Sequence, residues 1–171
     1  MVSETASKML IHVLRHGIAE DASGTMKDAD RALTADGRRK LLSVLRAAKA
    51  AEVAPAVILT SPYLRAVQTA EIAAEVLGYE GELIRTDALV PGSSPEDVWD
   101  ELRLYRQSSE VLISGHEPLL SRTIAHLVGA PSLQIDFKKG AMASILMQQL
   151  GAQPSGVLRW LLTAKLASRR S

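Results

Sequence analysis

Two histidines and two arginines carry the chemistry that this sequence suggests. His16 directly follows Arg15, while Arg65 and His116 lie much further along the chain. A neutral imidazole is a competent nucleophile at neutral pH, because its ordinary pKa is about 6.5. Arginine presents a fixed fork of donors that matches phosphate oxygens, and a second histidine can donate to the transferred group. These residue types indicate phosphoryl transfer, with His16 as the nucleophile and the other three side chains around the phosphoryl oxygens.

Short apolar runs precede each of these residues. The runs at 9–14, 57–60 and 111–114 predict buried strands, and a weaker run lies at 83–85. Each of the first three ends just before a segment that holds one or more of the four candidate residues. Because the carboxyl ends of parallel strands meet at one edge of a sheet, we expect the topology to bring the four side chains together.

The segments between the strands have helical periodicity. Thr34 and Ser94 are predicted N-caps, and Ser61 is a third, with Pro62 at the first helical position. Pro118 is predicted to begin a fourth helix. The third cap would place Arg65 in the first turn of its helix, where free N–H groups also attract anions.

The end of the chain has a different pattern. Residues 141–149 and 157–163 are strand-like, and the loop between them is rich in glycine and proline, which predicts a hairpin. The predicted fold class is α/β. We expect a three-layer sandwich with a mostly parallel central sheet, helices on both faces and a C-terminal antiparallel hairpin, all in one domain over residues 1–171.

The composition is that of an ordinary globular protein. The 171 residues include no cysteine, and the formal net charge is +1. Disulfides, thiolate catalysis and cysteine-ligated metals are therefore excluded. No basic stripe indicates nucleic-acid binding, and no apolar run is long enough to span a bilayer. We expect a cytoplasmic protein with neither a nucleic-acid partner nor a membrane partner.

Four segments resemble, in order, the signature blocks of the histidine phosphatase superfamily, which is also called the phosphoglycerate mutase-like superfamily. They are residues 14–17, 31–37, 61–71 and 114–118. The resemblance implies that His16 becomes a phosphohistidine intermediate and that Arg15, Arg65 and His116 form the phosphate pocket. It implies no metal and no organic cofactor.

Two further residues are candidates for substrate binding. Gly17 would let the backbone approach a ligand closely, and Arg31 would extend the phosphate pocket. Asp87 and Glu20 are the candidates for a general acid, the first near the region where the superfamily places its acid and the second just after the signature loop.

The short chain resembles the SixA-type phosphohistidine phosphatases. Little sequence between Gly17 and Ser61 is left to form a lid, and an open pocket suits a phosphate displayed on another protein. One departure from that type is Ile18, which stands where its members often have an aspartate. A phosphorylated protein that carries phosphohistidine is thus the expected substrate. The alternatives are a phosphatase for small phosphate esters and a non-catalytic phosphate-binding module; a mutase is disfavoured.

Overall fold

Six strands form one mixed sheet in the computed structural model, which describes residues 8–169. Their order across the sheet is β3-β2-β4-β1-β5-β6. Strands β1 to β4 pair in parallel, whereas β5 is antiparallel to both β1 and β6. The strands are β1 (Met9–Arg15), β2 (Val57–Thr60), β3 (Leu83–Arg85), β4 (Glu110–Gly115), β5 (Met142–Met147) and β6 (Gly156–Leu162).

Five helices cover the two faces of this sheet. Helices α1, α2 and α5 pack on one face, and α3 and α4 pack on the other. The predicted three-layer α/β sandwich with a C-terminal antiparallel hairpin is therefore confirmed. The helices are α1 (Ala35–Ala50), α2 (Leu64–Leu77), α3 (Pro95–Arg103), α4 (Leu119–Leu127) and α5 (Ala164–Ser168), with short 3-10 turns at Asp28–Asp30 and Asp87–Leu89.

The central strands have nearly unbroken apolar sequences because helices cover both faces of the sheet. In β1, Ile11 and Val13 belong to the core on the side of α3 and α4, where Trp99 is fully buried. Leu14 points to the opposite core, where it joins Leu41 of α1. The central strands β1 and β4 thus bury both sets of alternating side chains, as parallel strands in a sandwich do. Within residues 8–169, no helix is long and apolar enough to cross a membrane.

The helix starts agree with the sequence at two of the predicted caps. The Thr34 hydroxyl accepts a hydrogen bond from the Gly37 amide, and Ser94 forms a capping box with Asp97. The predicted cap at Ser61 is wrong, since α2 begins at Leu64 without a side-chain cap. The Ser61 hydroxyl is directed to the site described below instead. Helix α4 begins one residue later than predicted, with Pro118 itself as the cap.

The hairpin brings additional chain to the edge of the sheet where β1 and β4 end, which we call the carboxyl edge. Because β5 runs antiparallel to β1, its first residue, Met142, lies beside Leu14 near the end of β1. Met142 also pairs with Leu162, the last residue of β6. The segments before β5 and after β6 therefore join the loops that follow the parallel strands.

Candidate active site

His16 follows the last residue of β1 and is fixed through both of its main-chain groups. Its amide donates to the Gly115 carbonyl at 3.0 Å, and its carbonyl accepts from the Gly140 amide at 3.1 Å. The ring Nδ1 lies 2.7 Å from the Gly17 carbonyl oxygen. A carbonyl oxygen can only accept, so Nδ1 carries the proton and Nε2 carries the free lone pair.

The guanidinium of Arg65 hydrogen-bonds to that lone pair. Its Nε donates to Nε2 of His16 at 3.3 Å. Its Nη1 donates to the main-chain oxygen of Asp28 at 2.7 Å, and Nη2 donates to the Asp28 carboxylate at 3.0 Å. Arg65 is in the first turn of α2, as predicted, and is only 4% exposed. Partners on all three nitrogens fix the plane of this cation.

His116 enters from the end of β4. Its ring centroid lies 5.2 Å from that of His16, and it also packs edge-on with the ring of Tyr63, at a centroid distance of 5.1 Å. Its Nε2 is 2.8 Å from the Ser61 hydroxyl. Its Nδ1 is buried and has no hydrogen-bond partner among the described residues. A buried polar atom without a partner is costly, and a bound anion would supply one.

Arg15 closes the site on the side of β5. Its Nη1 donates to the Phe137 carbonyl at 2.8 Å, while its buried Nε has no partner within the described chain. Arg15 thus has an unused N–H donor, as His116 has an unsatisfied ring nitrogen. The structure therefore brings all four residues predicted for catalysis to the carboxyl edge.

The cations and the burial keep both imidazoles neutral. Burial, helped by the charges of Arg65, Arg15 and Lys139, lowers the pKa of His16 to about 4 against the opposing hydrogen bond to Gly17. Burial also lowers the pKa of His116 to about 3, with His16 and Arg65 acting in the same direction. At neutral pH Nε2 of His16 is unprotonated, and its lone pair accepts the hydrogen bond from Nε of Arg65.

Gly17 packs against the chain rather than opening a path to a ligand. A Cβ there would lie 3.3 Å from both the Gly37 carbonyl and the Leu33 side chain. Its amide is already used, since it donates to the Thr69 hydroxyl at 3.2 Å. That hydroxyl in turn donates to the Arg65 carbonyl at 2.7 Å. Gly17 thereby connects the segment that follows β1 to α2. This role differs from the predicted one, which was to let the backbone approach a ligand closely.

Arg31 reaches the site through Asp28. Its Nε donates to the Asp28 carboxylate at 2.8 Å, and its Nη1 donates to the Glu20 carbonyl at 3.0 Å. One carboxylate therefore bridges Arg31 and Arg65. Arg31 makes no hydrogen bond to His16 or His116, so it lies at the margin of the cluster.

The two candidate acids lie outside the cluster. Glu20 and Asp87 are exposed, and within residues 8–169 neither carboxylate bonds to the four central side chains. Asp87 lines a separate acidic hollow with Asp97 and Asp100. Glu20 is close in sequence to residues 14–17, and Asp87 is close to the end of β3, yet neither carboxylate hydrogen-bonds to His16.

The sequence did not indicate the site role of three residues whose side chains hydrogen-bond to members of the central four. Ser61 and Thr69 lie within the block at 61–71, but their hydroxyls bond to residues distant in sequence. Asp28 lies in a polar loop without periodicity, and its spacing of three from Arg31 is the one local signal for its pairing. Its longer connection, to Arg65, depends on the fold.

Comparisons with known proteins agree with this geometry. The model of the histidine phosphatase superfamily (branch 1) matches residues 11–90. An uncharacterized protein of Picosynechococcus sp. is 34% identical over 113 residues, which are 64% of this chain and 67% of the relative. The structure of the protein histidine phosphatase SixA complexed with tungstate is 26% identical with a TM-score of 0.81, over 92% of this chain and 98% of that one. A SixA structure from Agrobacterium tumefaciens shares the fold at 19% identity, with a TM-score of 0.78 over 91% of this chain and 97% of that one.

Proposed function

Because this chain belongs to the histidine phosphatase superfamily and is of the SixA type, we propose that it removes phosphoryl groups from phosphohistidine on a protein, through a phosphoenzyme formed on His16. The observation that carries the proposal is the pair of bonds around the His16 ring. The Gly17 carbonyl oxygen lies 2.7 Å from Nδ1 and so keeps the proton on that nitrogen, while Nε of Arg65 lies 3.3 Å from Nε2. Nε2 is thereby a neutral nucleophile beside fixed cations.

In the first step, the Nε–H of Arg65 shifts from Nε2 of His16 to a phosphoryl oxygen, and Nε2 attacks the phosphorus in line. A P–Nε2 bond forms, and the bond from phosphorus to the substrate nitrogen breaks with its electron pair passing to that nitrogen. The released imidazole takes a proton from solvent. The phosphorylated ring of His16 keeps its proton on Nδ1, so it is cationic, and the Gly17 carbonyl stabilises that charge.

In the second step, water attacks the phosphorus and the P–Nε2 bond breaks. Its electron pair returns to Nε2, and inorganic phosphate leaves after the attacking water has lost a proton to solvent. Arg15, Arg65 and His116 would contact the phosphoryl oxygens in both steps. Charge on these oxygens is neutralised by groups that are already in place, so little reorganisation is needed.

Within residues 8–169 no carboxylate hydrogen-bonds to the ring of His16 or His116, which supports a phosphohistidine substrate over an ester. An ester leaves as an alkoxide and needs a positioned acid, whereas a protonated imidazole leaves readily. Both Glu20 and Asp87 lie outside the cluster, within the part of the chain that is described. A small-ester phosphatase remains the second candidate, because relatives by fold need not share a substrate.

The test compares two substrate classes with the same preparation. The proposal predicts rapid hydrolysis of a protein phosphorylated on histidine and slow hydrolysis of a panel of phosphate monoesters. His16→Ala should lose activity on both classes. The matched control is His126→Ala, which removes an imidazole from α4 at a distance from the four central residues. Fast ester hydrolysis with inert phosphohistidine would instead establish the small-ester phosphatase, and binding without turnover of either class would establish the phosphate-binding module.

A further inference from the structure

A groove of about 930 Å³ opens directly beside the candidate active site. Arg15 belongs to both, since its charge acts on His16 and His116 and it also lines the groove. The groove continues from there along α1 to the residues that follow β6. Its cationic lining consists of Arg15, Arg39, Lys40, Lys138, Lys139 and Lys165.

The fold explains why these cations meet. Lys138 and Lys139 lie in the segment before β5, and Lys165 lies in α5 directly after β6. Both segments are at the carboxyl edge because the hairpin returns the chain there. Arg39 and Lys40 come from the first turns of α1, which packs against α5.

The groove keeps an excess of positive charge after its internal pairing. Asp36 pairs with Arg39, and its other oxygen lies 2.8 Å from Nζ of Lys40. Asp136 lies 2.8 Å from Lys138 and is the one carboxylate among the described lining residues. Lys139 and Lys165 form no ion pair within residues 8–169.

This charge is local and is not a property of the whole chain. The formal net charge is +1, so the cations of the groove are balanced elsewhere. The acidic hollow lined by Asp87, Asp97 and Asp100 follows β3, at the other end of the strand order from β6. The carboxyl edge is therefore positive on the side of β6 and negative on the side of β3.

From this arrangement we infer that the groove docks an acidic segment of the phosphorylated protein, with carboxylates of that segment lying near the phosphohistidine. The inference rests on the proposed function and adds a sequence preference to it. The five lining lysines and arginines other than Arg15 are exposed, with flexible, hydrated heads. Such charges steer and select a protein partner, whereas a small ligand is usually held by a few buried polar groups.

The experiment uses two synthetic peptides, each phosphorylated on a single histidine with phosphoramidate. In one peptide glutamates flank the phosphohistidine, and in the other they are replaced by glutamines. The wild-type enzyme should have a kcat/KM about tenfold higher for the acidic peptide, and the preference should shrink as salt is raised. The variant Lys138→Glu/Lys165→Glu should abolish this preference and leave hydrolysis of the glutamine peptide unchanged.

A matched control reverses charge at the opposite edge of the sheet. Arg106 is exposed and precedes the start of β4, so Arg106→Glu changes the net charge without touching the groove. This variant should keep the preference for the acidic peptide. Equal turnover of the two peptides by the wild-type enzyme would overturn the docking inference and leave the proposed function intact.

A third substrate separates a protein partner from a small polyanion. If Lys138→Glu/Lys165→Glu slows hydrolysis of an aryl bisphosphate as strongly as that of the acidic peptide, the groove binds small polyanions and the inference is overturned. An unchanged rate on that ester, together with the loss on the acidic peptide, supports it. Failure of the wild-type enzyme to hydrolyse either peptide would instead overturn the proposed function, and the inference with it.

Discussion

Asp28 clamps the guanidinium of Arg65 from the solvent side. Its carboxylate lies 3.0 Å from Nη2, and its main-chain oxygen lies 2.7 Å from Nη1. The Arg65 side chain is 5% exposed, whereas that of Asp28 is 55% exposed. A solvated acid thus holds a buried cation in the orientation that aims its Nε at His16. The loop before α1 therefore contributes to the geometry of the site.

Asp28→Asn should strengthen inhibition by inorganic phosphate. The substitution removes a negative charge beside the anion site and keeps the Asp28 main-chain oxygen on Nη1 of Arg65. We expect the inhibition constant for phosphate to fall by roughly threefold, in line with the size of exposed charge effects. Asp30→Asn is the control, because it neutralises a neighbouring acid of the same 3-10 turn. Weaker phosphate inhibition in Asp28→Asn would contradict this electrostatic account.

Arg65→Lys should lose activity although the charge is kept. An ammonium cannot donate at once to His16, to the Asp28 carboxylate and to the Asp28 main chain in the planar arrangement seen here. Loss of one preorganised donor costs on the order of 10²-fold or more in kcat. Arg31→Lys is the control, and we expect this variant to lose much less activity than Arg65→Lys. A kcat for Arg65→Lys close to that of the wild type in steady-state kinetics would mean that charge alone matters at position 65.

The His16 ring should titrate far below its ordinary range. Nitrogen NMR of the ring, assigned with His16→Ala, is expected to show a proton on Nδ1 at pH 7 and a midpoint near pH 4. The pKa of an unfolded histidine is about 6.5, so the unfolded state binds more protons between the two values. Stability from this group is complete above about pH 6.5 and is lost as the pH falls towards 4, by on the order of 1–3 kcal/mol.

A midpoint near 6.5 for the His16 ring would contradict the lowered pKa, and a proton on Nε2 at neutral pH would contradict the assigned tautomer. The matching equilibrium measurement is urea unfolding at several pH values. In His16→Ala the loss of stability in this window should be smaller than in the wild type, because one of the buried neutral imidazoles is gone.

Glu20→Gln and Asp87→Asn should keep the activity on phosphohistidine. Both carboxylates are exposed and lie outside the central cluster, and an imidazole leaving group needs no positioned acid. We expect rates within about twofold of the wild type at neutral pH. A large loss in one variant, with a change in the basic limb of its pH profile, would identify that carboxylate as the general acid.

The fold could be predicted where local pattern and tertiary environment agree. The run at 9–14 is apolar on both faces because both faces of β1 are buried, and the face formed by Leu41 and Leu45 does face the core. The helix start at Ser61 was wrong for a tertiary reason. Its hydroxyl lies 2.8 Å from the ring of His116, 55 residues away, and accepts from the amide of Tyr63, which precedes α2, rather than from an amide of the helix itself.

Only those residues of the candidate site that stand at or soon after the end of a strand could be predicted from the sequence. Arg15, His16 and His116 each stand at or just beyond the end of β1 or β4, so topology alone brought them to one edge. Asp28 has no such anchor. Its bond to Arg65 spans 37 residues and joins a loop to a helix, which no periodicity encodes. Sequence proximity likewise gave no measure of whether Glu20 faces the nucleophile.

Trapping of the phosphoenzyme tests the nucleophile most directly. The enzyme is mixed with a radiolabelled phosphohistidine protein, quenched within one turnover and digested. The account predicts an acid-labile, alkali-stable label on the peptide that contains His16, present in His126→Ala and missing from His16→Ala. A label that persists in His16→Ala, or full phosphatase activity in that variant, would contradict the account.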